Sequence, residues 1–469
     1  MLKTAISRFT LPGLAMLIAA TTSASATPTL VIDTATGAVL QEQEASRPWY
    51  PASLTKLMTA YVALKAVREG RITMETPMVV SNRAARMPPS KMAFKPGSEV
   101  TLDNALKMLM VKSANDLAVT IAEGVSGTVE DFAVEMNREA ARLRMRDSHF
   151  VNPNGLHDNN HVSSARDMAM IGVALLRDFP ESHELYGIGA LRLDNRIIPT
   201  HNGMLGRYPG ADGMKTGFTC AAGFNVVSTA TRGGRKLMVV VMGASNAKAR
   251  TLKAMSLLET AFNSSTWGRS TIDSLPYLGP VGAPNMRPEI CGKNRNPGAE
   301  EDFAIPVATS GHTGNEESAA SFFAADNRSE VQNVPASLLL QGPRPAFEPI
   351  EVFAGRRPGY NGPVARPRGA DPTQVAAPKE KPTRVAARPP ASPRAAAKPV
   401  ASKAVATLGK PSKLEGQKIE AAGKPKAQPQ KATVKPAATA PAKPAAKPKT
   451  QAGARPAAAQ IVAAKPAAR

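Results

Sequence analysis

Gly223-Phe224-Asn225-Val226-Val227-Ser228 and Lys236-Leu237-Met238-Val239-Val240-Val241-Met242, linked through Arg232-Gly233-Gly234-Arg235, decide the fold class. Two apolar runs on either side of a Gly-Gly turn read as a hairpin. A second hairpin stands near the N-terminus, where Thr29-Leu30-Val31-Ile32-Asp33 and Ala38-Val39-Leu40 flank the turn cluster Thr34-Ala35-Thr36-Gly37. The chain between them has the helical period instead. Leu54, Leu57, Met58, Tyr61 and Val62 recur at i, i+3, i+4, i+7 and i+8, in a helix that begins near Ser53 and ends at Gly70. Leu102, Leu106 and Leu109 share one face of a helix capped by Thr101. Val129, Phe132, Ala133, Met136 and Leu143 stripe another that follows Thr128. Glu130 and Asp131 at its start, and Arg142 and Arg144 near its end, suit the helix dipole. Further helices are expected from Ala165 to Leu176 and from Ala247 to Phe262. Strands at both ends with helices between them predict an α+β domain on an antiparallel sheet, its first and last strands side by side.

The chain has 469 residues and a formal net charge of +22, but residues 366–469 hold +18 of it, as 22 Lys and Arg against 4 Asp and Glu. The remainder is nearly balanced, so the charge does not make the folded part a nucleic-acid binder, and no specific nucleic acid is expected. A stretch of Ala, Pro and Lys cannot bury enough apolar surface to offset chain entropy, so 366–469 is expected to be a disordered basic tail. Residues 264–365, rich in Pro, Gly, Asn and Ser, are expected to be a mostly irregular linker with one short helix around Ala336–Leu340. Lys3 and Arg8, the apolar run Leu11–Ala20 and the small-residue site Ala24-Ser25-Ala26 read as a signal peptide over 1–26. The folded domain is then 27–263, in an exported protein that works in the periplasm or at the cell wall. Export permits a disulfide between Cys220 and Cys291, and two free thiols are an equally good reading. No Cys/His spacing resembles a metal site, and neither metal nor cofactor is expected. His157 and His161, in an Asn-rich loop, read as solvated.

Three short motifs occur in order: Ser53-Leu54-Thr55-Lys56, Ser113-Ala114-Asn115 and Lys215-Thr216-Gly217. Each alone is weak, and Ser245-Asn246-Ala247-Lys248 shows how cheaply the first arises. Their placement is the stronger signal: a helix start, a loop between helices, and the approach to a strand. A spacing of three on a helix puts the Ser53 oxygen and the Lys56 amine on one face. An unactivated serine needs a neighbouring base. Lysine serves only when neutral, far below its ordinary pKa of about 10.4. Burial and a second cation both lower it, and Lys215 is the candidate cation. A helix N-terminus at Ser53 would favour negative charge developing at the acyl oxygen.

With Trp49-Tyr50-Pro51-Ala52, His149-Phe150-Val151-Asn152-Pro153-Asn154-Gly155-Leu156, Ser164-Ala165-Arg166-Asp167-Met168 and Asp212-Gly213-Met214 ahead of Lys215, the chain over 28–263 resembles the serine-type D-alanyl-D-alanine carboxypeptidases, the low-molecular-mass penicillin-binding proteins. The resemblance implies a serine β-lactamase/transpeptidase-like fold, a five-stranded antiparallel sheet flanked by helices. It implies removal of the terminal D-alanine from peptidoglycan pentapeptides. Ser53 would be the nucleophile, Lys56 its base, and Ser113 the proton relay to the leaving D-alanine. Asn115 would bind the substrate amide, Lys215 and Thr216, followed by Gly217, would hold its carboxylate, and the backbone N–H groups of Ser53 and Phe218 would form the oxyanion hole. β-Lactams would acylate Ser53. Alternatives are a DD-endopeptidase that cuts cross-links, and an envelope-binding protein whose basic tail meets an anionic surface. A penicillinase would need a deacylating Glu, absent from 140–180.

Overall fold

The Gly223–Met242 hairpin lies at the heart of the central sheet. In the computed structural model, residues 27–280, 282–292 and 346–369 are described, and they belong to one compact unit. The signal peptide, the expected helix around Ala336–Leu340 and the tail from residue 370 lie outside the described residues.

From the N-terminus, β1 (Thr29–Asp33) and β2 (Val39–Gln43) precede a 3-10 turn at Ala52–Thr55 and helix α1 (Lys56–Arg68). A small ribbon follows, β3 (Pro77–Val79) and β4 (Glu99–Thr101), with α2 (Asn82–Ala85) between its strands. Four helices come next: α3 (Leu102–Val111), α4 (Asn115–Ser126), α5 (Val129–Arg142) and α6 (Ala165–Asp178). After α7 (His183–Gly187), a second ribbon forms from β5 (Ala190–Leu193) and β6 (Arg196–Pro199). The sheet then resumes with β7 (Ala211–Thr219), β8 (Gly223–Arg232) and β9 (Arg235–Ala244), followed by α8 (Ala247–Phe262), α9 (Arg287–Cys291) and β10 (Ile350–Glu351). The central sheet runs β2-β1-β9-β8-β7, all antiparallel. The first and last hairpins meet at β1 and β9, as their positions predict.

Both faces of this sheet are covered. Leu237, Val239 and Val241 pack with Met255 and Leu258 of α8 on one side. Met238, Val240 and Met242 join the cluster that contains α1 and α6 on the other. The period of two is intact, but every position is apolar because neither side meets water. Burying one such valine is worth about 1.5–3 kcal/mol. The expected caps are present: Thr101 accepts from Asn104 N at 3.3 Å and Thr128 from Asp131 N at 3.0 Å.

Three features depart from the sequence reading. Helix α4 was not expected as an element: it is buried on nearly all sides and shows no apolar stripe against a polar face. The ribbons β3–β4 and β5–β6 are too short to stand out. The third difference lies after Asn263, where the described residues are fastened to the body. Ile272 N donates to Gly37 O at 2.9 Å, and Leu278 N donates to Asp147 Oδ1 at 2.7 Å. Cys220, just past β7, and Cys291 in α9 form a disulfide.

Candidate active site

The edge strand β7 runs past the N-terminal end of the 3-10 turn, and the first and third motifs meet there. A Cβ at Gly217 would come within 2.9 Å of Pro51 O and 3.0 Å of Ser53 N and Leu54 N, so a side chain there would push strand and turn apart. Ala52 holds a left-handed φ of 48°, a sharp entry that costs a non-glycine residue energy and sets Ser53 at the head of the turn. Lys56 follows as the first residue of α1, 0% exposed.

Lys56 Nζ lies 2.9 Å from Ser53 Oγ, 2.8 Å from Asn115 Oδ1 and 2.6 Å from the Asn154 carbonyl. Three partners use all three hydrogens of an ammonium group. A neutral amine keeps two, and two partners are carbonyl oxygens that can only accept. Its lone pair is then left to the third, the Ser53 hydroxyl. Burial, then the positive charge of Lys215, drives the Lys56 pKa well below the ordinary lysine value, against an opposing pull from Asp116. The second cation is thus Lys215, as the motif order suggests.

Ser113 Oγ accepts from Lys215 Nζ at 3.0 Å, and Lys215 Nζ also donates to the Thr216 carbonyl at 2.8 Å. Ser113 sits at a left-handed φ of 61°, between the end of α3 and the start of α4. Lys215 is 2% exposed. Burial first, then the charge of Arg250, pulls its pKa down to about 7. Asn115 opens α4; its Nδ2 donates to Pro88 O at 3.0 Å while its Oδ1 faces Lys56. Ser53, Lys56, Ser113, Asn115, Lys215, Thr216, Gly217 and Phe218 therefore come together: Lys56 and Lys215 lie buried behind the cleft, and the other six line it.

That cleft has a volume of about 1000 Å³. Lys91, Lys112 and Arg250 are in its wall, and no carboxylate is among its described lining residues. With Lys215 behind Ser113, the site favours an anionic ligand.

Four contributors escaped the sequence reading. The Asn154 carbonyl is aimed by a turn in which Asn152 Oδ1 accepts from Gly155 N at 2.7 Å and Asn154 Oδ1 from Leu156 N at 3.0 Å. Gly155, at φ 79°, passes so close to the Ala52 carbonyl that no Cβ fits. The Asn-Pro-Asn-Gly run was a visible turn signal, but a backbone acceptor leaves no side-chain trace. Asp116, fully buried, accepts from Met92 N and from Ala93 N, the latter at 2.8 Å. Arg250 comes from α8, far from any motif. His161 corrects the expectation of a solvated side chain: it is 2% exposed. Val151 N donates to its Nδ1 at 3.1 Å, which leaves Nε2–H to donate to Thr55 Oγ1 at 2.8 Å. Burial pulls its pKa down to about 3, so the ring is neutral. His157 is exposed, its ring edge-on to Tyr50.

Residues 16–246 match peptidase family S11, D-alanyl-D-alanine carboxypeptidase. The chain is 35% identical over 242 residues to D-alanyl-D-alanine carboxypeptidase DacF of Bacillus subtilis, covering 50% of this chain and 61% of that protein. It is 31% identical over 220 residues to DacB2 of Mycobacterium tuberculosis, covering 45% of this chain and 73% of that one. A crystal structure of penicillin binding protein 5 from Haemophilus influenzae aligns with 50% of this chain and 70% of its own at 35% identity, with a TM-score of 0.49. The chain belongs to the D-alanyl-D-alanine carboxypeptidase family of serine peptidases. It spans 61% of the length of the Bacillus relative.

Proposed function

We propose that the protein is a serine-type D-Ala-D-Ala carboxypeptidase that removes the terminal D-alanine from peptidoglycan pentapeptides and is acylated by β-lactams. The observation that carries this reading is the 2.9 Å contact between Ser53 Oγ and the fully buried Lys56 amine, whose other two partners are carbonyl oxygens.

In this reading neutral Lys56 takes the Ser53 proton as Ser53 Oγ attacks the carbonyl between the last two D-alanines. The N–H groups of Ser53 and Phe218 stabilise the oxyanion. Ser113 accepts a hydrogen bond from Lys215, so its own hydroxyl hydrogen is directed elsewhere and passes to the leaving amine, and the proton that Lys56 took from Ser53 makes it good. Asn115 contributes its amide to the substrate backbone. Lys215 and Thr216 hold the terminal carboxylate, and Arg250 adds positive charge beside them. A bound carboxylate in turn raises the Lys215 pKa and restores its charge. Lys56, neutral again, takes a proton from the attacking water and returns it to Ser53 Oγ as the acyl bond breaks, which releases the shortened peptide.

Export belongs to this reading and rests on the charged start, apolar run and Ala24-Ser25-Ala26 site. Attachment of the tail to anionic envelope material is a separate proposal, supported by its +18 charge alone.

The test is intact-protein mass spectrometry after incubation with a β-lactam, wild type beside Ser53→Ala. One adduct on wild type and none on the variant is expected. An adduct retained by Ser53→Ala would place the nucleophile elsewhere, with Ser245 the first residue to map.

A further inference from the structure

Residues 347–368, far from the motifs in sequence, are laid along the two small ribbons. β10 pairs in parallel with β5, Ile350 opposite Leu191, and Val352 N donates to Arg192 O at 2.9 Å. Gly355 N donates to Glu99 O at 2.6 Å, which gives β4 an outer partner. Ala365 N donates to Pro77 O at 2.8 Å and accepts from Val79 N at 3.1 Å, which does the same for β3. Ion pairs fasten the segment, among them Arg356 with Glu99, Arg357 with Glu75 at 2.7 Å, and Arg368 with Asp131 at 2.8 Å. The backbone of Arg368 also donates to Gly127 O at 2.8 Å.

The ribbon so covered is the base of one wall of the cleft. A two-stranded ribbon with strands of three residues is marginal alone, and its open edges are a liability. Between β3 and β4 run Pro89, Ser90 and Lys91, which line the cleft. Ser90 O accepts from Asn115 N at 2.7 Å, Ser90 Oγ donates to Lys112 O at 2.7 Å, and the Met92 and Ala93 amides bind Asp116. Asn115 grips this wall with its Nδ2 and Lys56 with its Oδ1. The path from residues 355 and 365 to Asn115 is thus continuous in hydrogen bonds and covalent chain.

We propose that residues 347–368 are a positioning strap: by pairing with both edges of the β3–β4 ribbon they hold the Pro89–Lys91 wall against Ser113–Asn115 and so set how tightly the cleft binds its substrate. The kinetic part of this proposal rests on the peptidase reading; the structural part does not. None of the strap residues reaches the cleft, so their effect falls on binding more than on chemistry.

The test uses the full-length protein with Ala365→Pro, which removes the N–H given to Pro77, and with Arg356→Glu, an exposed substitution that leaves the fold intact. Both should raise KM for a D-Ala-D-Ala peptide about tenfold while kcat stays within about twofold. Hydrogen exchange at the Met92 and Ala93 amides should accelerate. Adding Glu99→Arg to Arg356→Glu should recover part of the loss, and Ala365→Val, which keeps both backbone bonds, should behave as wild type. Faster exchange confined to residues 77–79 and 350–368, with KM and the Met92 and Ala93 amides unchanged, would overturn the strap. A wild-type protein that no β-lactam acylates would instead overturn the peptidase reading, and the exchange at Met92 and Ala93 would still decide the strap.

Discussion

The two halves of the cleft are built differently. On one side, Lys56 and Lys215 stand on α1 and β7, long elements whose inner faces are in the cores on either side of the central sheet, and Ser53 on the turn that leads into α1. On the other, Pro89–Lys91 hang from strands of three residues that borrow partners from a segment more than 250 positions later. The nucleophile and base of the proposed mechanism, which must keep hydrogen-bond distance, sit on the stiff side. The Pro89–Lys91 wall sits on the side carried by short strands. Damage to the first half should therefore remove chemistry, and damage to the second should weaken binding.

The largest effects are expected on the stiff side. Lys56→Arg keeps the charge but cannot take up the Ser53 proton, because guanidinium stays protonated; kcat/KM should fall by about 10³-fold or more. Peptide turnover followed by steady-state kinetics checks it. Near-normal acylation by this variant would remove Lys56 from the role of base.

Lys215→Gln tests the coupling between the lysines. Removing this cation takes away one of the two causes that depress the Lys56 pKa. In the proposed mechanism Lys56 is the base in its neutral form, so activity should rise with pH through its pKa, and the variant's rising limb should move to higher pH. Loss of the charge-assisted contact should also raise KM for a carboxylate-ended peptide by about 10–100-fold. In the wild type, that KM should climb as pH rises through about 7, where free Lys215 loses its proton. A pH profile identical in variant and wild type would separate the two lysines.

A smaller effect, on stability, is expected at the disulfide. Cys220 follows β7 and Cys291 is held 71 positions later, so Cys220→Ser with Cys291→Ser should cost about 2–5 kcal/mol in chemical denaturation. The least effect of all should come from the tail. A cut after Gly369 spares Arg368 and its bonds to Gly127 and Asp131, and kcat/KM on a soluble peptide should stay within about twofold. The +18 charge reckoned from residue 366 includes Arg366 and Arg368, which the structure fastens to the folded body, so a cut at 366 would disturb more than the tail.

The stiff half was also the legible half. Valine-rich runs around Gly233-Gly234 and an apolar stripe behind Ser53 anticipate two hairpins of the central sheet and the helix beside it, and the three short motifs name seven of the eight residues that meet at the cleft; Phe218 and the fifth strand, β7, came with the family resemblance. These signals are local: a period, a turn, a spacing. What escaped is of another kind. The Asn154 carbonyl has no side-chain signature, α4 lacks an amphipathic stripe because it is buried nearly all round, and Arg250 reaches Lys215 only through the fold. His161 looks like its exposed neighbours in sequence and differs only in what covers it. The strap is held by pairings of one or two residues across long separations, for which no local pattern exists.

The central claim is that burial and a neighbouring cation make Lys56 a base at ordinary pH. The rate of β-lactam acylation of Ser53, measured across pH by stopped-flow, tests it most directly. The rate should already be high near neutral pH, with its rising limb far below the usual lysine range. A rate that stays low at neutral pH and rises only as the pH nears 10.5 would show an unperturbed lysine and contradict the account.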